Sequence, residues 1–372
     1  MKPGRITRII VFILLLGGCT IEFTPEIDDA KELLVVSGLI TDQDVSNKIT
    51  LSRSVPVGKP LTAVAVSGAL VSIADETGTV YFLAETSPGT YSTDSTLFRG
   101  RVGGSYSLNI RLGENNYETD FIKMKPVPPI NSLYHEKVVI NASRDSLEIT
   151  EGCRIFLDSY DPAGECLFFR WSFVETWEYY LPFPSDVFRC WATEPSERIL
   201  VRNTSVYSQA RISRFPVVFI TNRTKRLNVN YSILVNQYSI DESEYYFWER
   251  VQNISENVGG LYDMTPMAIQ GNIRSVTDPG ETVLGYFSVS AVSRKRLFVR
   301  DRFLGLSYFY PGCTVDTIYG VLPQGVERKD YWIVEDNANE IPSWWVITRE
   351  RECADCKTDA DRIKPDFWED FL

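Results

Sequence analysis

CLFFRWSFVETWEYY, residues 166–180, alternates in a way that decides the fold class. In an extended chain, successive side chains point to opposite faces. Phe168, Arg170, Ser172, Val174 and Thr176 therefore share one face, and Leu167, Phe169, Trp171, Phe173 and Glu175 the other. Aromatic and β-branched residues suit a pleated, half-buried surface. The stretch reads as a long central strand whose aromatic face lies in a core.

The same pattern recurs outward in both directions. Upstream, LLVVSGLI (33–40) and NKITLSR (47–53) flank a polar turn, and short strands follow over residues 69–74, 79–83, 89–92, 105–111 and 117–124. Turn signals every ten or so residues are the pattern of a β-sandwich. Lys125-Pro126-Val127-Pro128-Pro129 closes this unit, because consecutive prolines cannot join a central ladder. Downstream, residues 147–150, 154–160, 217–221 and 227–239 continue a second sheet system, and 285–292 with 295–301 read as a hairpin around Ser293-Arg294. One segment breaks the β period. Asp241 is placed to cap a helix, with Glu244 as its reciprocal partner, and Tyr245, Trp248, Val251, Gln252, Ser255 and Val258 follow at intervals of three and four up to Gly259-Gly260. The expected fold is mainly β: two β-sandwich (immunoglobulin-like) domains, 33–125 and 126–372. The second carries an inserted α-helix near 241–258 and a Cys-containing tail.

The amino terminus gives the address. Lys2, Arg5 and Arg8 precede an apolar run, Ile9–Leu16, and then Leu16-Gly17-Gly18-Cys19. That order is a secretory signal peptide (1–18) ending in a lipobox, which makes Cys19 the expected lipidation site. An ordinary secretory signal with an incidental Cys is the competing reading. The apolar run is far short of the roughly 20 residues that span a bilayer. Residues 19–32 form an acidic tether, either a surface-export signal or a solvated linker. Removing the three basic leader residues takes the formal net charge from −11 to about −14, which disfavours nucleic acid as a partner.

Six further cysteines, in an oxidising compartment, are disulfide candidates: Cys153, Cys166, Cys190, Cys313, Cys353 and Cys356. Proximity favours Cys153–Cys166 across Asp161-Pro162-Ala163-Gly164, then Cys353–Cys356 and Cys190–Cys313. Cys353-Ala-Asp-Cys356 also has redox spacing, but it lies in a charged tail without the strand and helix a thioredoxin-type motif needs. No metal and no cofactor is expected. His135 is the one histidine, no catalytic signature is present, and the chain is not expected to be an enzyme. Glu175 and Glu178, flanking Trp177, are the sole support for a carboxylate-dependent hydrolase. Trp177, Tyr179 and Tyr180, with Trp344 and Trp345, stand near prolines and are candidates for ligand or partner contact, or else for sheet packing. Ser95, Ser146 and Thr317 sit in Asp-(Ser/Thr)-apolar or Asp-Ser-Thr triplets similar to acceptors of periplasmic O-glycosylation.

Taken together, LVVSGLITDQ (34–43), ITLSRS (49–54), FRWSFVETWEY (169–179), CWATEPSERIL (190–200), YSILVNQYSIDESEYYFWERV (231–251), GGLYDMTPMAIQGNI (259–273), LGYFSVSAVSRKRLFV (284–299) and the CADC…KPDFW tail resemble the domain of unknown function 4249 family of Bacteroidetes lipoproteins. The resemblance implies an outer-membrane lipoprotein, at the cell surface or on the periplasmic face, that partners a TonB-dependent receptor in nutrient import. It carries over no catalytic or ligand residues. A free-standing glycan- or peptide-binding lipoprotein is the alternative.

Overall fold

The computed structural model describes residues 32–55, 63–143, 146–181, 189–207, 209–227, 229–256, 269–299, 313–320, 331–337, 339–356, 360 and 362–368. Cys19 and the tether up to residue 31 lie outside them. In chain order the strands of the first sandwich are β1 (Leu34–Thr41), β2 (Lys48–Arg53), β3 (Val64–Ala65), β4 (Leu70–Asp75), β5 (Val80–Phe82), β6 (Ala84–Ser87), β7 (Thr90–Ser92), β8 (Ser105–Leu112), β9 (Asn115–Thr119) and β10 (Ile122–Lys123). The second region holds β11 (Ile130–Ser143), β12 (Ser146–Asp161), β13 (Phe168–Tyr180), β14 (Arg189–Pro195), β15 (Leu200–Asn203), β16 (Ala210–Thr221) and β17 (Asn230–Ile240). After these come the helix α1 (Glu242–Glu256), β18 (Ile273–Ser275), β19 (Leu284–Ser290), β20 (Val292–Val299), β21 (Val315–Tyr319), β22 (Trp332–Asn337) and β23 (Trp344–Thr348).

The first sandwich faces a β19-β1-β2-β7-β6 sheet against a β18-β9-β8-β4-β5 sheet. Alternate residues Leu34, Val36 and Ile40 point inward to meet Ile49, Leu51, Val71, Ile73, Leu108, Ile110 and Phe287. Two of its strands come from far along the chain. β19 pairs in parallel with β1, and β18 pairs with β9. The expected division puts both strands in the second domain. The pairing with β1 also requires Gly285, whose φ is +89° and where a Cβ would lie 2.0 Å from the Val36 carbonyl oxygen.

The second sandwich faces β11-β12-β16 against β14-β13-β17-β20, with β15 also on β13. β13 behaves as its alternation predicts. Phe169, Trp171, Phe173, Trp177 and Tyr179 enter the core with Ile155, Leu157, Val217, Ile220, Ile233 and Val235. Trp171 donates its indole N–H to Gln237 Oε1 at 2.9 Å, and the Gln237 amide donates to Pro128 O and Ser159 Oγ. Buried polar groups are thus paired, and the proline linker is fastened to the second core.

The expected 285–301 hairpin does not form. The chain leaves β19 in the first sandwich, passes through buried Ala291 and enters the second as β20, paired with β17. Each half alternates well, but the halves satisfy different sheets. The Asp161–Gly164 turn is likewise a crossover, joining β12 in one sheet to β13 in the other.

The helix starts where expected. The Glu244 N–H donates to Asp241 Oδ1 at 2.7 Å, an N-cap. Glu244 itself does not reach back as the reciprocal partner. Its side chain turns inward, 1% exposed, and accepts from Ser288 Oγ and Trp248 Nε1. The expected Gly259-Gly260 cap lies outside the described residues.

The disulfides also differ from expectation. Cys190 bonds Cys356, Cys313 bonds Cys353, and Cys153 and Cys166 are free and buried. Cys166 donates its N–H to Asp161 Oδ2, so it sits beside the end of β12. Cys153 is eight residues back along that strand, roughly 26 Å away at about 3.3 Å per residue, too far to bridge. The two cysteines of the CADC motif instead take different distant partners. They fasten the β21-β23-β22 sheet and the tail to the second sandwich.

Candidate functional site

A cleft of about 670 Å³ opens at the end of the first sandwich, at the far end of β1 from Leu34. Its lining includes Asp42, Asp75, Tyr81 and the run Ser95-Thr96-Leu97-Phe98-Arg99-Gly100-Arg101-Val102, with Tyr106 behind. The run turns at Ser95–Leu97 and again at Val102, and between the turns burial alternates: Phe98 and Gly100 are buried, Arg99 and Arg101 exposed. Three rings hold the inner side. Phe98 meets Tyr81 edge-on at 4.8 Å and Tyr106 at 5.7 Å. Gly100 packs so closely on β1 that a Cβ would lie 2.7 Å from Thr41 O, and its N–H donates to that oxygen. The Arg101 N–H donates to the Tyr106 hydroxyl at 2.9 Å.

The acids of the cleft are already satisfied. Asp75 Oδ1 accepts from the Thr77 hydroxyl and from the Thr77 and Thr79 N–H groups, and Tyr81 OH donates to Oδ2. The Thr77 hydroxyl contributes most to holding the Asp75 carboxyl below its ordinary range. Asp42 Oδ1 accepts from the Val292 N–H and from Gln43, which ties the cleft wall to β20 of the second sandwich. Arg99 donates Nε to Asp42 O at 2.6 Å. Among the described residues, no ion pair engages the guanidinium of Arg99 or Arg101.

The residues expected at a site are scattered, and most are structural. Trp177, Tyr179 and Trp345 are buried on strands, so for them the sheet-packing alternative holds. Tyr180 is 40% exposed at the end of β13, and Trp344 is half-buried with its indole N–H on Glu340. Glu175 and Glu178 are three apart on one strand and point to opposite faces, so they cannot flank a common substrate. Glu175 accepts from Tyr231 OH at 2.7 Å and pairs with Arg226 at 3.4 Å, and burial raises its pKa against both. Glu178 pairs with Arg189 and accepts from Asn230 and Trp368. Cys313, Glu350 and Cys353 converge, but both sulfurs are bonded to each other and neither is available as a thiolate ligand. Ser95 lies on the cleft rim, Thr317 is exposed on β21, and Ser146 opens β12.

A sequence model described as Domain of unknown function (DUF4249) matches residues 20–296. The chain belongs to this family. No curated protein matches it. The DUF4249 match takes in both sandwiches, β18 and β19 included, and the whole cleft. It ends within β20, so the CADC tail, which shares in the resemblance seen in the sequence, lies beyond it. Among the described residues, no helix is long and apolar enough to cross a membrane.

Of the cleft residues, only Ser95 is among the site candidates expected from the sequence. The further signal is TLFRGRV (96–102), in which two arginines alternate with Phe98 and Gly100 beside a strand end. Nothing local in that heptad says that Asp42, 57 positions from Arg99, stands against it.

Proposed function

We propose that this DUF4249 protein is a non-enzymatic lipoprotein of the outer membrane, tethered through Cys19, that serves as accessory partner to a TonB-dependent receptor in nutrient import. The observation that carries this reading is where the family domain starts. The match begins at Thr20, the residue after Cys19, so a lipid on that cysteine would adjoin the family domain directly. The 14 residues from Thr20 to Leu33 reach at most about 50 Å when extended. An acylated Cys19 would confine the body to the bilayer surface and raise its effective concentration at a membrane partner. The non-enzymatic part draws support from Glu175 and Glu178, each held in its own ion pair on its own face of β13.

The test is cross-linking in intact cells, followed by mass spectrometry of the species joined to the lipoprotein. A TonB-dependent barrel as the main product supports the reading, and a Cys19→Ser variant should lose it. Cross-links to no outer-membrane protein would sink it.

The cleft favours a second reading, a surface lipoprotein that binds a glycan or peptide by itself. In this version the ligand meets the Arg99–Arg101 wall rather than the tryptophan-rich strands, whose rings are committed to packing.

A further inference from the structure

We infer that the cleft at the end of the first sandwich binds an anionic oligosaccharide through its carboxylates, with Arg99 and Arg101 as the recognising pair. The inference rests on the cleft being a ligand site, the second reading above, and adds the chemistry of what enters it.

The charge pattern is the first argument. The chain carries a formal charge of −11, yet this cleft is lined by two exposed arginines two positions apart, neither in an ion pair among the described residues. Its two acids already hold donors: Asp75 those of its own turn, and Asp42 Oδ1 those of Val292 and Gln43. The side-chain charges of the lining sum to zero, so recognition of an anion rests on guanidinium N–H groups that no carboxylate holds among the described residues. A guanidinium recognises a carboxylate through paired, charge-assisted N–H donors.

The second argument is rigidity. The backbone on both sides of the arginines is pinned, at Gly100 by Thr41 O and at Arg101 by Tyr106 OH. Phe98 is wedged between two rings. A site whose support is already ordered loses less entropy on binding.

The remaining lining suits a sugar. The Ser95 hydroxyl and the acceptor lone pairs of the Thr96 and Tyr81 hydroxyls, whose protons go to Asp94 and Asp75, match sugar hydroxyls, and about 670 Å³ accommodates a few rings. An extended acidic peptide would instead pair with the free edge of β5, the strand that brings Tyr81 to the cleft, and triglutamate is the probe for it.

The experiment is isothermal titration of the detergent-solubilised, full-length protein with trigalacturonate, its methyl ester and triglutamate. The acid should bind and the ester should bind at least tenfold more weakly, with affinity falling as salt rises. Arg99→Gln and Arg101→Gln should each weaken trigalacturonate roughly tenfold or more. Arg111→Gln, an exposed arginine elsewhere, should leave it unchanged. Both cleft arginines are exposed, so thermal midpoints should not move, which separates lost binding from lost folding. Equal binding of acid and ester, or full binding by both cleft variants, would overturn the charge assignment while leaving a ligand site in place. Tighter binding of triglutamate would overturn the sugar class. No binding of any of the three would remove the cleft as a site, and the inference with it.

Discussion

Glu244→Ala is the substitution from which the architecture has most to lose. Glu244 lies on α1, Arg170 on β13 of the second sandwich and Ser288 on β19 of the first, so one carboxylate joins three parts of the molecule. It accepts from Ser288 Oγ at 2.6 Å and Trp248 Nε1 at 3.0 Å, and stands 3.8 Å from Arg170 Nε. Arg170 in turn lies over the rings of Tyr238 at 4.5 Å and Trp248 at 5.0 Å, its side chain 16% exposed. Removing the acid leaves a mostly buried cation facing two rings and no counter-charge. Breaking one side of a buried pair costs about 3–5 kcal/mol, a large part of the roughly 5–15 kcal/mol that holds a typical domain folded. The 3.8 Å contact is longer than a hydrogen bond, so the attraction is Coulombic and part of Arg170's stabilisation comes from the rings. Urea unfolding followed by tryptophan fluorescence should place Glu244→Ala in the 3–5 kcal/mol range. Arg170→Met combined with Glu244→Ala should be less destabilised than the sum of the single variants by about 1–3 kcal/mol. Additivity within about 0.5 kcal/mol would refute the coupling and leave Arg170 held by the rings alone.

Three further outcomes follow from other parts of the molecule. Non-reducing peptide mapping should join Cys190 to Cys356 and Cys313 to Cys353, with Cys153 and Cys166 alkylated only after unfolding; burial pushes the Cys153 thiol up to about 12. A Cys153–Cys166 peptide would contradict the fold. Glu175 has a folded-state pKa raised above 4.5, chiefly by burial, so the unfolded chain releases its proton first and stability is lost as pH rises through that window. Hydrogen-bonded acids such as Asp75 and Asp94 are shifted down and act in the opposite sense. The expected result is therefore a difference: the thermal midpoint of Glu175→Gln gains on wild type from acid toward neutral pH, and a constant gap would contradict it. Gly100→Ala should cost about 1–3 kcal/mol in denaturant unfolding, since the Met124 end can yield but Thr41 O cannot; an unchanged midpoint would show that the run is not packed on β1.

What was legible in the sequence was whatever depends on neighbours in the chain. The period-two pattern of 166–180, the Asp241 cap and the proline linker all appear where local physics puts them. What was not legible depends on partners brought together by the fold. β19 alternates like any strand, and nothing within it says that it lies parallel to β1 or that Gly285 meets the Val36 backbone. The cysteine pairs went astray for the same reason: closeness in sequence favoured Cys153–Cys166, while eight residues of extended β12 separate Cys153 from Asp161, beside which Cys166 sits. The tryptophan-rich strands drew attention because rings beside prolines resemble a contact surface, although most of those rings fill the core. The cleft arises from a bend of TLFRGRV across the end of β1, a tertiary event with only a faint local trace.

Native mass spectrometry of the lipidated protein, extracted in mild detergent from its own outer membrane, tests the central claim most directly. The account predicts a complex whose mass is the lipoprotein plus a TonB-dependent barrel. A lipoprotein that flies alone, with the barrels intact in the same extract, would contradict it.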